Sequence, residues 1–397
     1  MHESRFGIRD VRIRGFRSAR SVGFAPGPVC ALVGGPSVGK SNVLEAIRML
    51  LEHTAPSPAA GDVTRGSADT IEIGATLADG DEITLAASPP RRPSRTGPSL
   101  PVVFLPASER SGRLVAPSTA AGSGARLTER YFPGADGSPS SAALATTLVT
   151  ALESLCEARE SGLVLLIEEP ELFLRPQAQR YLYRLLRTFA AHGNQVLYST
   201  HAPAFLNVGR LAELALVEFR PHEGTTIIQP EPLPADEGFR AVSEVDAERS
   251  ELFLARAVLL VEGRTEKLTF PFIFRALGHD ADREEITVVE CGGKSNILLF
   301  VRICQAARIP YVVVHDRDAL PGRKPIQGER VLNAQIAELA GAESTVVLAP
   351  DFEAVAGLRG HSHKPAHAWE RFSAIEQGQV PGPLRQAVEK VVRLART

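Results

Sequence analysis

Lysine is scarce in this chain: of 44 basic residues, six are lysine and thirty-eight arginine. Ordinary surface charge is therefore arginine, and a lysine marks a place where a compact ammonium serves and a guanidinium does not. Three of the six, Lys40, Lys294 and Lys364, fall in motif-like stretches to which chemistry is assigned below. Cysteine is equally sparse. Cys30, Cys156, Cys291 and Cys304 show no C-x-x-C spacing, which argues against a disulfide framework and a zinc ribbon. No apolar run approaches the ~18 residues of a membrane span, so no membrane partner is expected. Residues 1–20 alternate charged and apolar side chains without a signal-peptide core, and a cytoplasmic location is the expectation. Net charge is missing too. At −2 the chain is no polycation that clings to nucleic acid over its whole surface, although a local basic groove stays open.

What the chain does have is length and a phosphate loop. Its 397 residues imply two or three domains. Gly34-Gly35-Pro36-Ser37-Val38-Gly39-Lys40-Ser41 fits G-x-x-x-x-G-K-[ST], set between an apolar strand at 29–33 and a helical stretch at 42–51. Glycines let backbone N–H groups converge on phosphates, and the helix adds its positive N-terminal end. ATP is the expected ligand, with Lys40 on its β- and γ-phosphates, Ser41 on a magnesium ion and Asn42 next in line. A second apolar strand, 163–167, ends in Glu168-Glu169-Pro170-Glu171. Glu168 is expected to hold the magnesium and Glu169 to orient or deprotonate the attacking water. A strand at 195–199 ends at Thr200-His201, where His201 could report the γ-phosphate. Around this core, 71–77 and 82–87 read as a β-hairpin, 88–101 as a mobile basic loop carrying Arg91, Arg92 and Arg95, and 112–141 as a flexible glycine-rich segment.

These strings, with Ile13-Arg14-Gly15-Phe16 before them and Tyr198-Ser199-Thr200-His201-Ala202-Pro203 after, resemble the ABC-type ATPases of the RecF, SMC and OLD group. The resemblance implies composite ATP sites built by two heads, hence a homodimer or higher homo-oligomer. Two features depart from the group. Glu168 stands where aspartate is usual, and the signature sequence has only Asp136-Gly137-Ser138 as a candidate.

Residues 221–250 are rich in proline and acid, which predicts an ATPase domain at 1–235, a linker at 236–250 and a second domain at 251–397. In the latter, apolar runs at 257–261, 286–289, 311–314 and 345–348 alternate with helical stretches at 265–277, 295–307 and 328–340. That pattern predicts a small parallel α/β sheet, whose function gathers at the C-terminal strand ends. Those ends are acidic: Glu262 with Glu266 one helical turn on, Asp316-Arg317-Asp318, and Asp351-Phe352-Glu353, with Gly292-Gly293-Lys294 at the fourth. Converging carboxylates repel one another unless cations neutralise them, and Mg²⁺ or Mn²⁺, held by oxygen, is the natural choice. A pair of such ions can cleave a phosphodiester. His361, His363 and His367 also lie close in sequence, but imidazoles favour softer ions and the carboxylates already account for a metal.

Val261-Glu262-Gly263-Arg264-Thr265-Glu266 and Asp316-Arg317-Asp318 resemble the motifs of a TOPRIM domain, and an ATPase head followed by TOPRIM resembles the OLD-family nucleases. By that resemblance Glu262, Glu266, Asp316, Asp318 and Glu353 are metal ligands, Glu262 and Asp316 serve catalysis, and Lys364 matches the lysine that stabilises the cleavage transition state. The expected fold class is α/β: an ABC-type P-loop ATPase head with a mixed sheet, then a Rossmann-like parallel TOPRIM sheet. The expected activity is that of an ATP-binding, divalent-metal-dependent DNA endonuclease or nickase regulated by nucleotide state, serving phage defence or DNA repair, with a possible partner protein from a defence operon. The alternative is a nuclease-inactive, ATP-dependent switch or scaffold. A topoisomerase is disfavoured, since four of the five tyrosines lie in the first half and no further DNA-binding domain has room.

Overall fold

The computed structural model describes residues 6–52, 57–66, 70–107, 141–206, 208–234, 237–238, 241, 248–318, 327–358 and 363–396. The chain falls into two units, Met1–Pro230 and Glu231–Thr397. In the first, β1 (Ile8–Phe16) and β2 (Ala19–Phe24) alternate buried and exposed residues, as strands with one wet face do, whereas β3 (Val29–Val33) is buried at every position and belongs in the middle of a sheet. Helix α1 (Lys40–Leu51) follows, with Val43, Leu44, Ile47 and Leu50 on its buried face at helical spacing. Then come β4 (Ile71–Leu77), β5 (Glu82–Ala87), β6 (Ser94–Thr96), β7 (Val102–Leu105), α2 (Ser141–Glu157), β8 (Val164–Glu168), α3 (Pro176–Ala191), β9 (Gln195–Thr200), β10 (Leu214–Arg220) and β11 (Gly224–Ile228). Among the described residues these strands form one sheet in the order β6-β5-β4-β1-β2-β11-β10-β3-β9-β8-β7. From β10 to β7 neighbouring strands are parallel; the remaining pairs are antiparallel. The mixed sheet expected of the ATPase half is present.

Two expectations need correction. The stretch 88–101 is not simply a loop, because β6 lies within it and pairs with β5, the Thr84 and Thr96 hydroxyls meeting at 2.6 Å. Arg95 is turned inward and donates to the Met49 carbonyl, while Arg91 and Arg92 stay exposed. Three residues between prolines are too short to show an alternation, so this strand is invisible from pattern alone. Likewise 221–250 contains β11, whose Thr-Thr-Ile-Ile run has the β-branched composition that a strand favours. The segment 112–141 and the candidate signature Asp136-Gly137-Ser138 lie outside the described residues apart from Ser141, and so does most of 236–250.

Gln195 opens β9 fully buried and fastens the N-terminal strand to it. Its amide oxygen accepts from the Ile8 N–H at 2.7 Å, and its NH₂ donates to the carbonyls of Ile8 at 2.8 Å and Gly27 at 3.0 Å. Gln195→Ala strands these backbone groups away from water, and a loss of about 1–3 kcal/mol is expected, read as a lowered urea midpoint at unchanged slope.

The second unit begins with β12 (Ala257–Val261), followed by α4 (Arg264–Ala276), β13 (Ile286–Glu290), α5 (Lys294–Ala306), β14 (Tyr311–Asp316), α6 (Gln327–Ala340), β15 (Thr345–Leu348), α7 (Phe352–Val355), α8 (Lys364–Phe372) and α9 (Gly382–Ala395). The sheet order is β13-β12-β14-β15, parallel throughout. The chain leaves β12 for a neighbour on one side and returns for one on the other, so the switch point lies between β12 and β14. A crevice opens there in such sheets, outside the carboxyl ends. Helix α9 buries Leu384, Ala387, Val388 and Val391 across β12, β14 and β15 and completes the core. Among the described residues no helix is long and apolar enough to cross a membrane.

Candidate active sites

In the first unit, strand register gathers the motifs. Val33 pairs with Thr200 and Glu168 with Ser199, so the chain leaves the sheet side by side at Gly34, His201 and Glu169. The loop that follows β3 admits no side chain at two of its glycines. A Cβ on Gly34 would lie 2.2 Å from the Val217 carbonyl oxygen, and one on Gly39, at φ +107, would lie 2.1 Å from Thr225 Oγ1. Lys40 is 6% exposed, and its ammonium curls back to donate to the carbonyls of Gly34 at 2.8 Å and Gly35 at 2.6 Å. Burial pulls its pKa down to about 8 against the opposing charges of Glu169 and Glu171. Pro36, Ser37 and Ser41 are exposed at the loop and the first turn of α1, with Gly35 and Val38 half-buried between them. Asn42 braces the loop: its NH₂ donates to Ser18 Oγ at 2.7 Å and its oxygen accepts from Arg17 at 3.3 Å. Thr225 completes the brace, its hydroxyl 2.8 Å from both Ser18 Oγ and the Val38 carbonyl.

Across from the loop, Glu168 Oε2 accepts from the Ala107 N–H at 2.9 Å. Glu169 stands in left-handed backbone, φ 46, with its N–H on the Ser199 carbonyl at 3.0 Å and Oε1 3.7 Å from His201 Nε2. Burial and the nearby Lys40 charge push the His201 imidazole below its ordinary value despite Glu169, so it is neutral at pH 7. Glu171 has a role that the sequence did not disclose. Its Oε1 accepts from the Thr200 hydroxyl at 2.9 Å and the His201 N–H at 2.7 Å, fixing the backbone that carries His201. It is the last acid of the string that ends β8, and only the fold separates its work from that of Glu168 and Glu169.

In the second unit the two ends at the switch point are locked together. Glu262 Oε1 accepts from the Asp316 N–H at 2.7 Å, and Asp316 Oδ1 accepts from the Phe352 N–H at 2.7 Å. Asp318 stands in left-handed backbone, φ 54, its N–H on the Pro350 carbonyl at 2.9 Å. Glu266, one turn into α4, is 9% exposed. Burial raises the pKa of Glu262 to about 7, with Asp318 and Glu266 adding to it, and raises that of Asp316 to about 8, with Glu262 and Glu266 adding. Glu266 is raised as well, by burial and then by Glu353. Glu353 is in close contact with the Lys364 ammonium at the start of α8, and that bond raises the lysine's pKa. Asp351 caps α7 through the Ala354 N–H at 2.7 Å, an ordinary helix-cap duty.

Lys294 projects into this group, in close contact with Asp318, 2.8 Å from Glu329 and 3.9 Å from Glu262. Glu329 lies on α6, where the sequence offers an acid like any other on a helix. Among the described residues no three His, Cys, Asp or Glu side chains sit close enough to hold an ion as they stand. His361 lies outside the described residues. The donors nevertheless suit a hard divalent cation, being carboxylates, three of which, Glu262, Glu266 and Asp316, are held above the usual carboxylate range chiefly by burial.

Residues 253–318 match the family of overcoming lysogenization defect (OLD) protein-like TOPRIM domains, and residues 136–207 match an AAA-domain family described with AbiEii toxins of type IV toxin–antitoxin systems. An OLD nuclease of Thermus scotoductus is 38% identical over 251 residues, which cover 58% of this chain and 48% of that protein. The Old nuclease of Escherichia phage P2 is 28% identical over 171 residues, 41% of this chain and 29% of that protein. An AAA-type ATPase domain is followed here by an OLD-like TOPRIM domain. The matched segments span about half the length, or less, of those curated relatives. The TOPRIM match takes in Glu262, Glu266, Lys294, Asp316 and Asp318 and stops short of Glu329, Glu353 and Lys364.

Proposed function

We propose that this chain binds ATP in its first unit and cleaves DNA phosphodiesters with Mg²⁺ or Mn²⁺ in its second, the nucleotide state regulating the cut. The observation that carries the reading is the gathering of Glu262, Glu266 and Asp316 at the switch point of a parallel sheet, Glu266 buried and the other two half-buried, an arrangement that is costly once all three are charged unless a cation joins it. A divalent ion there would neutralise the acids and polarise a phosphate ester. Glu262, Glu266 and Asp316 would hold it, with Asp318 and Glu353 at the margin. Lys364, half-exposed on α8, would exchange Glu353 for the phosphate's developing negative charge. In the ATPase unit, Lys40 would leave the Gly34 and Gly35 carbonyls for the phosphates, Ser41 and Glu168 would hold magnesium, and Glu169 with the neutral His201 would orient the water.

Resemblance to the OLD group favours a homodimer, a cytoplasmic setting, and work in phage defence or DNA repair. The test is plasmid and linear DNA incubated with the chain in Mg²⁺, Mn²⁺ or Ca²⁺, with and without ATP. Nicked or linear product in Mg²⁺ or Mn²⁺ is expected; DNA left intact in every condition counts against the reading. The second reading, a nuclease-inactive switch, is favoured by the Lys294 ammonium already engaging Asp318. Metal binding that disappears on replacing Asp316 and Asp318 by alanine argues against it.

A further inference from the structure

Trp369 is the chain's single tryptophan, and at 54% exposure it is the most exposed large apolar side chain among the described residues. An indole is among the largest apolar surfaces a chain can bury, so folding stability does not explain why this one is left in water. It stands on α8, whose Ala368 and Phe372 face inward and seat the helix against α4. There Phe272 meets the indole edge-to-face, the ring centres 5.1 Å apart and the planes at 87°, which steadies the indole while more than half of the residue stays accessible. The exposed Arg275, next along α4, brings its guanidinium to 5.7 Å from the centre of the Phe272 ring. Lys364 opens α8 little more than one turn before Trp369, about 7.5 Å along the helix axis. The acid beside the indole, Glu370, is turned to His367, 3.3 Å from its Nδ1.

We propose that Trp369, braced by Phe272 and flanked by Arg275 and Lys364, is a stacking platform for an unpaired base, so that the second unit takes single-stranded or locally unpaired DNA. The inference rests on the DNA-cleaving reading of this unit. Every base has a π face, so an exposed indole accepts any of them while neighbouring cations meet the phosphates. At about 3.4 Å per stacked nucleotide, the platform lies about two nucleotides from a phosphate held at Lys364. In a closed duplex the base faces are covered by their neighbours, and the platform has nothing to hold. An exposed indole also suits a protein partner, but cations at both ends of the ring pair favour a polyanion.

The experiment uses the full chain in EDTA without nucleotide, titrated with a thymidine oligonucleotide of about twenty nucleotides or with a blunt duplex of equal length. Tryptophan emission comes from Trp369 alone, so the single strand should quench it saturably and shield it from iodide, and the duplex should do neither. In anisotropy with labelled oligonucleotides, Trp369→Ala should weaken single-strand binding about five- to a hundredfold and leave duplex binding within about twofold. Trp369→Phe, which keeps a ring, should recover to within about threefold of the unaltered chain. Circular dichroism confirms that each variant is folded, and the quenching and shielding are read on the unaltered chain should a variant not fold. A bound single strand that neither quenches nor shields overturns the inference, as does an equal loss for strand and duplex in Trp369→Ala. So does a Trp369→Ala chain that keeps its strand affinity and changes its oligomeric state in sedimentation, which marks the indole as a protein contact. Plasmid cleavage by the unaltered chain leaves the DNA-cleaving reading standing in each of these cases. A chain that binds neither oligonucleotide and leaves plasmid intact overturns both.

Discussion

An Asp316→Asn chain is expected to lose metal-dependent DNA cleavage by about a thousandfold or more while binding ATP as the unaltered chain does. Asparagine keeps an oxygen to accept from the Phe352 N–H, so the strand end stays where it is and only the charge is removed. A carboxylate that holds a catalytic ion contributes several kcal/mol to the transition state, and each 1.36 kcal/mol is a factor of ten in rate. The pH profile gives a second readout. Glu262 and Asp316 are raised to about 7 and about 8, chiefly by burial, and must lose their protons before they can neutralise a cation. At subsaturating metal, cleavage should therefore climb between about pH 6 and pH 8. The same shifts fix the sign for stability. A raised carboxylate pKa means that the folded metal-free chain binds more protons than the unfolded one, so it loses stability as pH rises from about 4 to about 8, and added Mg²⁺ should offset that loss. Supercoiled plasmid read on a gel and a fluorescent ATP analogue are sufficient to measure both properties. Cleavage that survives the substitution would place the nuclease away from this switch point.

Much of this arrangement is legible in the sequence, because the candidate motifs sit at the ends of buried strands. The runs 257–261 and 345–348 coincide with β12 and β15, and 71–77 with 82–87 coincides with the β4–β5 hairpin. Each is apolar or alternating in a way that one period explains. What stays hidden depends on contacts far apart in the chain. Glu329 is separated from Lys294 by 35 residues, and no spacing rule joins a helix acid to the residue after a Gly-Gly turn. Thr225 reaches Ser18 across 207 residues to brace the phosphate loop. The left-handed backbone at Glu169 and Asp318 is equally unwritten, since both are carboxylates that sequence reasoning expects in ordinary extended geometry. Asn42 follows the phosphate-loop motif and invites a ligand role, and the contacts of its amide with Ser18 and Arg17 are likewise absent from the motif.

Lys40→Ala should weaken ATP binding by about a hundredfold to ten-thousandfold and leave the fold intact. Among the described residues the ammonium bonds the carbonyls of Gly34 and Gly35, and Lys40 is no member of the apolar core, so its removal chiefly breaks two contacts local to the loop. In the nucleotide complex the same ammonium would meet two phosphates, and two hydrogen bonds to charged groups are worth about 1.5–3 kcal/mol each, with tenfold in affinity for every 1.4 kcal/mol. Its lowered pKa adds a signature. Burial brings Lys40 to about 8, so in the free protein it loses its proton on the alkaline side of neutrality, and ATP affinity of the unaltered chain should fall between pH 7 and pH 9. The Lys40→Ala chain has no ammonium to lose and should be flat over that range, apart from titrations that the two chains share. A titration with a fluorescent ATP analogue at both pH values separates these outcomes. If affinity falls by less than a few-fold, the loop is not where ATP binds. If ATP binding is lost while plasmid cleavage persists at an altered rate, the first unit regulates a nuclease that does not need it for chemistry.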